Sequence, residues 1–404
     1  MTGVVRVDAP ATAGTIFDLV RRGVVRTRGE ISRETGLAPS TVSQRVDALI
    51  DHGLIEETRS GAIATGGRQP RLLQLRPEAG AVASAALGAR HVVLRIASQS
   101  GDEIVTLSEE IDVSTGAEAT IDAIWSALRR EMKKAGIAPS TLRGIAIGLP
   151  APVDSSTGTV SSSAQLPGWD HLDLHEVIRR HTAVPVVLAN DANLLATAEH
   201  RLADPAVRHM LAVKIGSRIG SGLIVDRRVY TGASGAAGEI SHSPSSGTSA
   251  IRCFCGTQNC LESVASGSAM LARLQADGHE VTTTGELVAL AGTGEPAVLE
   301  LLRESGRLVG AVLAEFVNFL NPDLITFGGA LAAADAFVAA IRGTIFQRSL
   351  PVVTADLDVR LGRAGVNAEA DGGVHLVLDT ILTAESIDRM LAEARVDRPH
   401  PAAV

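Results

Sequence analysis

The texture of the sequence changes near residue 77, and this change limits the possible folds more than any other feature. Before it, the chain shows three short helical patterns and two short runs of β-forming residues. Beyond it, helical patterns such as 121–134 and 305–320 alternate with strand-like apolar runs at 91–96, 145–149, 184–188, 210–215, 223–225 and 324–327. The pattern predicts a small helical domain followed by an α/β body in which helices cover parallel strands.

The first 76 residues have the pattern of a winged helix-turn-helix. Residues 15–20 and 28–35 have helical spacing, and Gly36 can end the second helix. A third helix is predicted from Pro39 onward, because apolar residues recur at i, i+4, i+7 and i+8: Val42, Val46, Leu49 and Ile50. Two β-type runs, 54–57 and 72–75, flank a segment rich in Gly and Arg. Three helices followed by a two-stranded wing are typical of DNA-binding domains.

The first turns of the third helix are predicted to read bases, because this helix of the motif lies in the major groove. Gln can pair with adenine and Arg with guanine, while Ser and Thr suit phosphates or either base. The candidates are Ser40, Thr41, Ser43, Gln44 and Arg45. Further arginines are expected to hold the DNA backbone (Arg28 and Arg33) or to enter the minor groove from the wing (Arg59, Arg68 and Arg71). The alternative is a helical domain that binds other proteins through an ordinary charged face.

Charge is divided unevenly along the chain. The formal net charge is -8, from 37 basic and 45 acidic residues. Residues 1–76 contain eleven Arg and eight acidic residues, a net charge of +3, which leaves -11 for the rest. A basic head on an acidic body suits a protein that presents only its head to a polyanion such as double-stranded DNA. Because one head reads a half-site, we expect a homodimer or homotetramer on a palindromic operator.

The sequence does not have the features of a membrane or exported protein. Its best candidate for a membrane helix, 308–320, is interrupted by Glu315 and is shorter than the roughly 18 residues required. The N-terminus lacks a charged-then-apolar signal pattern. We therefore expect a cytoplasmic protein with no membrane partner.

The three cysteines of the chain all lie between residues 253 and 260, shortly after a histidine. Their odd number and the Cys-x-Cys spacing do not suit a disulfide framework. One imidazole and three thiolates complete a tetrahedral zinc site of the closed, structural kind. The predicted ligands are His242, Cys253, Cys255 and Cys260. Gly256 and Asn259 suit the left-handed turns of such a knuckle. The alternative is three buried thiols beside an unrelated histidine.

A longer motif around these ligands makes a family resemblance specific. Residues 238–242 read Gly-Glu-Ile-Ser-His, and residues 253–262 read Cys-Phe-Cys-Gly-Thr-Gln-Asn-Cys-Leu-Glu. They resemble the ROK family (repressor, open reading frame, kinase), whose sugar kinases and sugar-responsive repressors share Gly-Glu-Ile-Gly-His followed by Cys-x-Cys-Gly-x-x-Gly-Cys-Leu-Glu. Residues 149–154 and the Asn-Asp-Ala-Asn of 190–193 resemble two further family motifs. The N-terminal pattern is similar to the repressor branch. Ser241, Asn259 and Ala151 depart from the family pattern.

The resemblance implies a fold for the whole chain. A winged helix at 1–76 would precede an actin-like, or ribonuclease H-like, two-lobed sugar-kinase fold. The first α/β lobe is expected at 77–196, and the second, with the zinc knuckle, at 197–372. A C-terminal helix at 373–393 is expected to complete the first lobe, and residues 394–404 to form a frayed tail.

The resemblance also implies a sugar site. Five residues match those that hold sugar hydroxyls in the family: Asn190, Asp191, Glu239, His242 and Glu262. Carboxylates accept strong, charge-assisted hydrogen bonds from hydroxyls, and a zinc-bound histidine keeps one ring nitrogen for a hydroxyl. The alternative for the two glutamates is surface charge or support of the zinc ligands.

Phosphoryl transfer needs phosphate loops and a held magnesium ion as well as a base. Asp191 matches the catalytic base of the family's kinases. Their Asp-x-Gly-x-Thr loop corresponds here to residues 86–90, Ala-Leu-Gly-Ala-Arg, which contain neither Asp nor Thr. The second loop, 216–222, has Arg218 where the family has glycine. We therefore expect that the protein is not an enzyme.

These features together predict a DNA-binding transcriptional repressor of sugar metabolism genes. A sugar or sugar derivative, bound in the kinase-like cleft, would control it. Two alternatives stay open: an active ATP-dependent sugar kinase with an additional DNA-binding head, and a constitutive DNA-binding protein whose body is empty.

Overall fold

The computed structural model describes residues 11–59, 71–76, 80–88, 90–160, 166–169, 172–245 and 251–396. A small head is followed by a body with two sheets. The elements of the head are α1 (Ala13–Arg21), α2 (Arg28–Thr35), α3 (Pro39–Asp51), β1 (Ile55–Arg59) and β2 (Arg71–Leu75).

The head has the predicted three helices and two-stranded wing. Thr27 and Glu30 form a capping box at the start of α2, and Gly36 ends this helix at a φ of 69°. β1 and β2 pair in the antiparallel sense, with Ile55 opposite Leu75. The segment between the two strands lies outside the described residues.

The first lobe is built on a mixed five-stranded sheet. Its elements are β3 (Ala81–Leu87), β4 (His91–Ser98), β5 (Glu103–Glu110), α4 (Ala117–Lys134), β6 (Leu142–Leu149), β7 (Val153–Asp154), β8 (Thr159–Val160), α5 (Leu174–Arg179), β9 (Val186–Asn190) and α6 (Asp191–Arg201). The strand order is β5-β4-β3-β6-β9, with β6 and β9 parallel to β3. The prediction of parallel strands is wrong for β4, which is antiparallel to both of its neighbours, β3 and β5. The connections from β3 to β4 and from β4 to β5 are too short for a crossover, so these strands form an antiparallel meander.

The second lobe repeats this topology. Its elements are β10 (Met210–Ile215), β11 (Ile219–Val225), β12 (Arg228–Val229), α7 (Leu261–Ala265), α8 (Gly267–Ala276), α9 (Thr284–Gly292), α10 (Pro296–Leu320), β13 (Leu324–Gly328), α11 (Asp335–Arg348), α12 (Pro351–Thr354) and β14 (Asp358–Leu361). The order β12-β11-β10-β13-β14 again combines an antiparallel meander with two parallel strands. The paired sheets confirm the actin-like body, although the sequence shows no internal repeat.

The apolar segment 308–320 belongs to α10, the longest helix of the body. Val309, Leu313 and Val317 are fully buried on one face of this helix, while Glu315 on another face is exposed. Among the described residues, none of the helices combines the length and the hydropathy needed to cross a bilayer.

Helix α6 lies between the two lobes. It contacts β10 and β11 of the second sheet as well as the C-terminal segment that covers the first sheet. The predicted lobe boundary between 196 and 197 falls inside this helix. A helix is rigid, so a lobe boundary does not fall within one. We therefore propose that the chain passes from the first lobe to the second after Arg201, the last residue of α6.

The prediction of one helix over 373–393 is wrong. The chain forms α13 (Ala368–Ile381) and α14 (Ala384–Val396) instead. The break occurs because the hydroxyl of Thr383 accepts the N–H of Ser386 and caps the second helix. α13 packs against α6, β3 and β6, whereas α14 packs against α1 of the head. The C-terminal segment therefore contacts both the first lobe and the DNA-binding domain.

Candidate functional site

The residues predicted to read bases lie on the first turns of α3. Two of them, Ser40 and Gln44, are exposed, and the other three are half-buried: Thr41, Ser43 and Arg45. Arg45 and Gln44 border a cavity of about 420 Å³ between α3, α1 and α14. Within the described chain, Nη1 of Arg45 is buried without a hydrogen-bond partner. Arg45 therefore lies on the side of α3 that faces the body.

Arg28 is engaged inside the head. Its Nε lies 2.6 Å from Oε1 of Glu57, and its Nη2 lies 2.7 Å from Oδ1 of Asp47. Burial alone would lower the pKa of Arg28, but the hydrogen bonds to Asp47 and Glu57 outweigh it and raise that pKa. Arg28 thus ties α2 to α3 and β1, which the sequence did not indicate.

The other arginines predicted to contact DNA differ in the solvent exposure of their side chains. The side chain of Arg71 is 64% exposed and shares Glu57 with Arg28 at 3.2 Å. Arg33 is also exposed. Arg68 and the side chain of Arg59 lie outside the described residues.

The four predicted metal ligands form one cluster. The ligand atoms of His242, Cys253, Cys255 and Cys260 all lie within 4.8 Å of one another. Nδ1 of His242 is 3.7 Å from Sγ of Cys253, and Sγ of Cys255 is 3.5 Å from Sγ of Cys260. Metal–sulfur bonds of about 2.3 Å in a tetrahedron give ligand separations of about 3.8 Å. The cluster therefore has the size and donor set of a tetrahedral metal site.

The backbone of the knuckle is preformed around this cluster. The N–H of Cys253 donates to the carbonyl of Thr257 and that of Asn259 to the carbonyl of Ile251, both at 2.8 Å. Gly256 has a φ of 91° and Asn259 a φ of 55°. Asn tolerates the left-handed region better than most side chains, so Asn259 can replace the family's glycine.

Two carboxylates of the predicted sugar site, Asp191 and Glu262, lie close enough to a third, Glu239, for their charges to act on it. Burial, together with the charges of Asp191 and Glu262, raises the pKa of Glu239 to about 7. Glu262 is 7% exposed, and burial raises its pKa although the N–H of Ile219 donates to it at 2.9 Å. Such a group of acceptors suits a ligand with several hydroxyls.

The neighbouring backbone positions these acceptors. Gly238 has a φ of 92°, and a Cβ atom there would collide with the carbonyl of Ser221. Only glycine therefore allows the strand β11 to approach the segment that carries Glu239. On the other side of the cleft, Asn190 caps α6 and donates from its side chain to the carbonyl of Ala151 at 3.1 Å.

Lys214 is a site residue that the sequence reading missed. Its Nζ lies 2.8 Å from Oδ2 of Asp191 and 2.7 Å from Oε1 of Glu369. Burial would lower the pKa of Lys214, but the two carboxylates reverse this effect and raise it. The available signal was a lysine, one of three in the chain, inside the apolar strand β10.

Several N–H groups of the stretches that match phosphate loops are engaged within the chain. The N–H of Gly216 donates to the carbonyl of Arg218, and that of Ile219 donates to Glu262. The guanidinium of Arg218 lies 5.1 Å from the ring centre of Phe254 in the knuckle. In the first stretch, the N–H of Gly88 donates to the carbonyl of His91 at 2.8 Å, and Ala89 is outside the described residues.

Comparison with known proteins identifies the family. The model of the ROK family matches residues 84–379, most of the chain. The chain belongs to the ROK family. A second model, for winged helix-turn-helix DNA-binding domains, matches residues 18–56, which span most of the head.

Relatives of this ROK protein include regulators and kinases. The xylose repressor of Caldicellulosiruptor bescii is 26% identical over 372 residues, which cover 88% of this chain and 92% of that protein. The crystal structure of a ROK family transcriptional regulator, a homologue of the E. coli Mlc protein, has a TM-score of 0.78 and 26% identity, and it covers 94% of this chain and 98% of its own. A ROK family glucokinase from Streptomyces griseus, in complex with glucose and AMPPNP, has a TM-score of 0.64 and 23% identity, with 74% and 99% coverage. The predicted class, a DNA-binding transcriptional regulator, is confirmed.

Proposed function

We propose that this protein represses sugar metabolism genes and that its effector is a sugar bound beside Asp191, Glu239 and Glu262. The observation that carries the proposal is the closeness of three largely buried carboxylates, Asp191 and Glu262 beside Glu239, in a body joined to a winged helix. Hydroxyl groups of a sugar would donate to these carboxylates. Asn190 and His242 would add polar contacts from either side.

Zinc is the ion that suits one imidazole and three thiolates. We propose that His242, Cys253, Cys255 and Cys260 hold it. With four protein ligands the ion would supply rigidity and would activate no water. Nδ1 of His242 lies beside Cys253, so Nε2 would be the ring nitrogen that bonds to a sugar hydroxyl.

The effect on DNA would be a population shift. A sugar that favours one arrangement of the two lobes changes the positions of the heads in an oligomer, and so changes operator affinity. The test is thermal unfolding of the full chain with D-xylose, D-glucose and N-acetyl-D-glucosamine, followed by operator titration with and without each sugar. A stabilising sugar that changes operator affinity is expected. No stabilisation by any of them would favour the constitutive DNA-binding protein with an empty body.

We propose that the protein does not transfer phosphate. The engaged N–H groups of the phosphate-loop stretches support this, because a phosphate cradle needs free backbone donors. Asp191, the counterpart of the kinase base, shares its carboxylate with Lys214. An assay that couples ATP consumption to the same three sugars is expected to show no turnover. Robust turnover would establish the alternative, a sugar kinase with a DNA-binding head.

The DNA-contacting residues are proposed to be Ser40, Thr41, Ser43 and Gln44 on α3, with Arg33, Arg59, Arg68 and Arg71 on phosphates and in the minor groove. Arg45 is left out of this set, because its side chain faces the body and its Nη1 is buried. Arg28 is better explained as internal support. Arg71→Ala is expected to weaken binding to all DNA sequences and to reduce the salt slope by about 1. Arg28→Ala should instead lower the unfolding temperature of the head. Equal effects of both variants on the salt slope would contradict this division.

A homodimer would allow two heads to read a palindrome, and an exposed apolar patch supports it. Phe319 is 85% exposed and Val352 80%. Asn318 accepts the N–H of Leu350, which brings these segments together. Contiguous apolar surface of this kind marks interfaces. Phe319→Asp with Val352→Asp is expected to give a monomer in sedimentation, and an unchanged oligomer would exclude the patch. We place the protein in the cytoplasm, where DNA and sugars are both accessible.

A further inference from the structure

Three elements meet at Lys214, and each belongs to a different part of the molecule. Lys214 is on β10 of the second lobe, Asp191 begins α6, and Glu369 is in the first turn of α13. Their side chains are 25%, 14% and 19% exposed. Ion pairs shielded in this way respond to changes in their partners far more than pairs at the open surface.

α13 extends from this cluster to the head. Glu369 lies at its cleft end, and Asp379 lies ten residues later, about 15 Å along a helix. Oδ1 of Asp379 is 2.6 Å from Nη1 of Arg21 on α1. Between them, Asp371 pairs with Arg95 of β4. One rigid helix therefore contacts the cleft at one end and the DNA-binding domain at the other.

The head packs closely against the body, so a movement of α14 would displace α1 as well. The N–H of Gly14 on α1 donates to Oδ1 of Asp388 on α14 at 2.8 Å. A Cβ atom at Gly14 would collide with the carbonyl of Ala384. The side-chain amide of Gln99 donates to the carbonyls of Leu54 and Arg76, both at 2.9 Å. A displacement of α13 and α14 would therefore be passed on to α1.

We propose that Lys214 transmits sugar binding to the head through Glu369 and α13. A sugar hydroxyl that donates to Asp191 competes with the Lys214 ammonium for that carboxylate. Lys214 then loses part of its pairing with Asp191 and takes a position set mainly by Glu369, which changes the position of the first turn of α13. The coupling free energy equals the difference in the free energy of these ion pairs between the two states of the protein. The inference rests on the proposed function, because it requires a sugar at Asp191.

The test uses Glu369→Ala in the full chain. The matched control is Glu118→Ala, which also removes a first-turn glutamate with an ion-pair partner, but from α4 in the first lobe. Sugar affinity is measured by calorimetry with whichever of D-xylose, D-glucose or N-acetyl-D-glucosamine stabilises the wild type most. Operator affinity is measured by fluorescence anisotropy, with and without that sugar, on a duplex that the wild type selects from a random pool.

In the wild type and in Glu118→Ala, the sugar is expected to change operator affinity by about 5-fold or more. In Glu369→Ala this change should fall below about 2-fold, while sugar affinity stays within about 3-fold of the wild type. If the sugar changes the operator affinity of Glu369→Ala as much as that of the wild type, this inference is wrong, while the proposed function is unaffected. If no sugar changes the operator affinity of the wild type, both the proposed function and this inference fail.

A second measurement needs no change at Glu369. Hydrogen–deuterium exchange of the wild type with and without the sugar is expected to change in α13 and α1 more than in α4. Lys214→Met should abolish the change in α1, whereas Lys133→Met, at an exposed lysine of α4, should leave it as in the wild type. Exchange in α13 that does not respond to a bound sugar overturns the inference.

Discussion

The two sides of the cleft use their polar groups in opposite ways. On the side of the predicted sugar site, Gly238 and the knuckle carry Glu239 and Glu262, so that several carboxylate acceptors lie near one another. On the side of the phosphate-loop stretches, two backbone donors are engaged within the chain: the N–H of Ile219 donates to Glu262, and that of Gly216 donates to the carbonyl of Arg218. A sugar needs acceptors and a phosphate needs free N–H groups. This contrast supports the proposal that the body binds a sugar but does not transfer phosphate.

Arg218 links the two sides. From the sequence it was expected to obstruct a phosphate loop. In the structure its guanidinium lies over Phe254 of the knuckle, and its charge acts on both His242 and Glu262. A residue of the second loop therefore contributes to the electrostatics of the sugar side.

The largest expected effect is on the knuckle. Cys260→Ser replaces a fully buried thiol and is expected to abolish zinc binding, because a hydroxyl is a poor ligand for this ion. Zinc content by atomic absorption should fall from one per chain to near zero. The unfolding temperature should drop by about 5 °C or more. Treatment of the wild type with a chelator should give the same drop, and a variant that retains its zinc would exclude Cys260 as a ligand.

The next effect is on the sugar itself. At pH 8, above the pKa of about 7, Glu239→Gln removes the charge from an acceptor in the middle of the acidic group. It is expected to weaken sugar binding by about 10- to 100-fold, since a hydrogen bond to a charged group contributes about 1.5–3 kcal/mol. Calorimetry measures this loss. Glu280→Gln, at an exposed glutamate of the same lobe, is the control and should bind as the wild type does.

A smaller effect is expected at Arg218. Arg218→Ala removes the contact with Phe254, which contributes about 0.5–1 kcal/mol at an exposed site. Sugar affinity should change by about 2- to 5-fold, and ATP turnover should stay absent. Arg228→Ala, at an exposed arginine of β12, serves as the control. ATP turnover gained by the Arg218 variant would show that this one side chain had blocked phosphoryl transfer.

The smallest effect is expected from the nucleotide. Magnesium ATP at millimolar concentration should raise the unfolding temperature by less than about 1 °C, because a ligand stabilises only when its concentration exceeds its dissociation constant. The stabilising sugar should raise it further under the same conditions. Equal stabilisation by ATP and by the sugar would contradict the proposal that the protein binds the sugar but not the nucleotide.

Local patterns predicted most elements of the head and the knuckle. As expected, Gly36 ends α2 and Pro39 begins α3, because helix caps and helical periodicity depend on residues only a few positions apart. The four metal ligands could be proposed from spacing, since they lie within one short segment. The sequence did not reveal that Arg28 pairs with carboxylates of the head. Whether an arginine meets DNA or an internal carboxylate depends on Glu57 and Asp47, which belong to other elements.

The linear order of residues specifies the family and most of the elements, and it supplies the candidate ligands of the metal and sugar sites. Helix signals, ligand spacing and the family motifs are all encoded over short distances. The partners of Lys214 were decided only by tertiary structure, because Asp191 and Glu369 lie 23 and 155 residues away in the sequence. Tertiary structure also decided that α13 packs on the first sheet while α14 packs on the head. Such contacts arise from the packing of distant elements, and no local pattern records them.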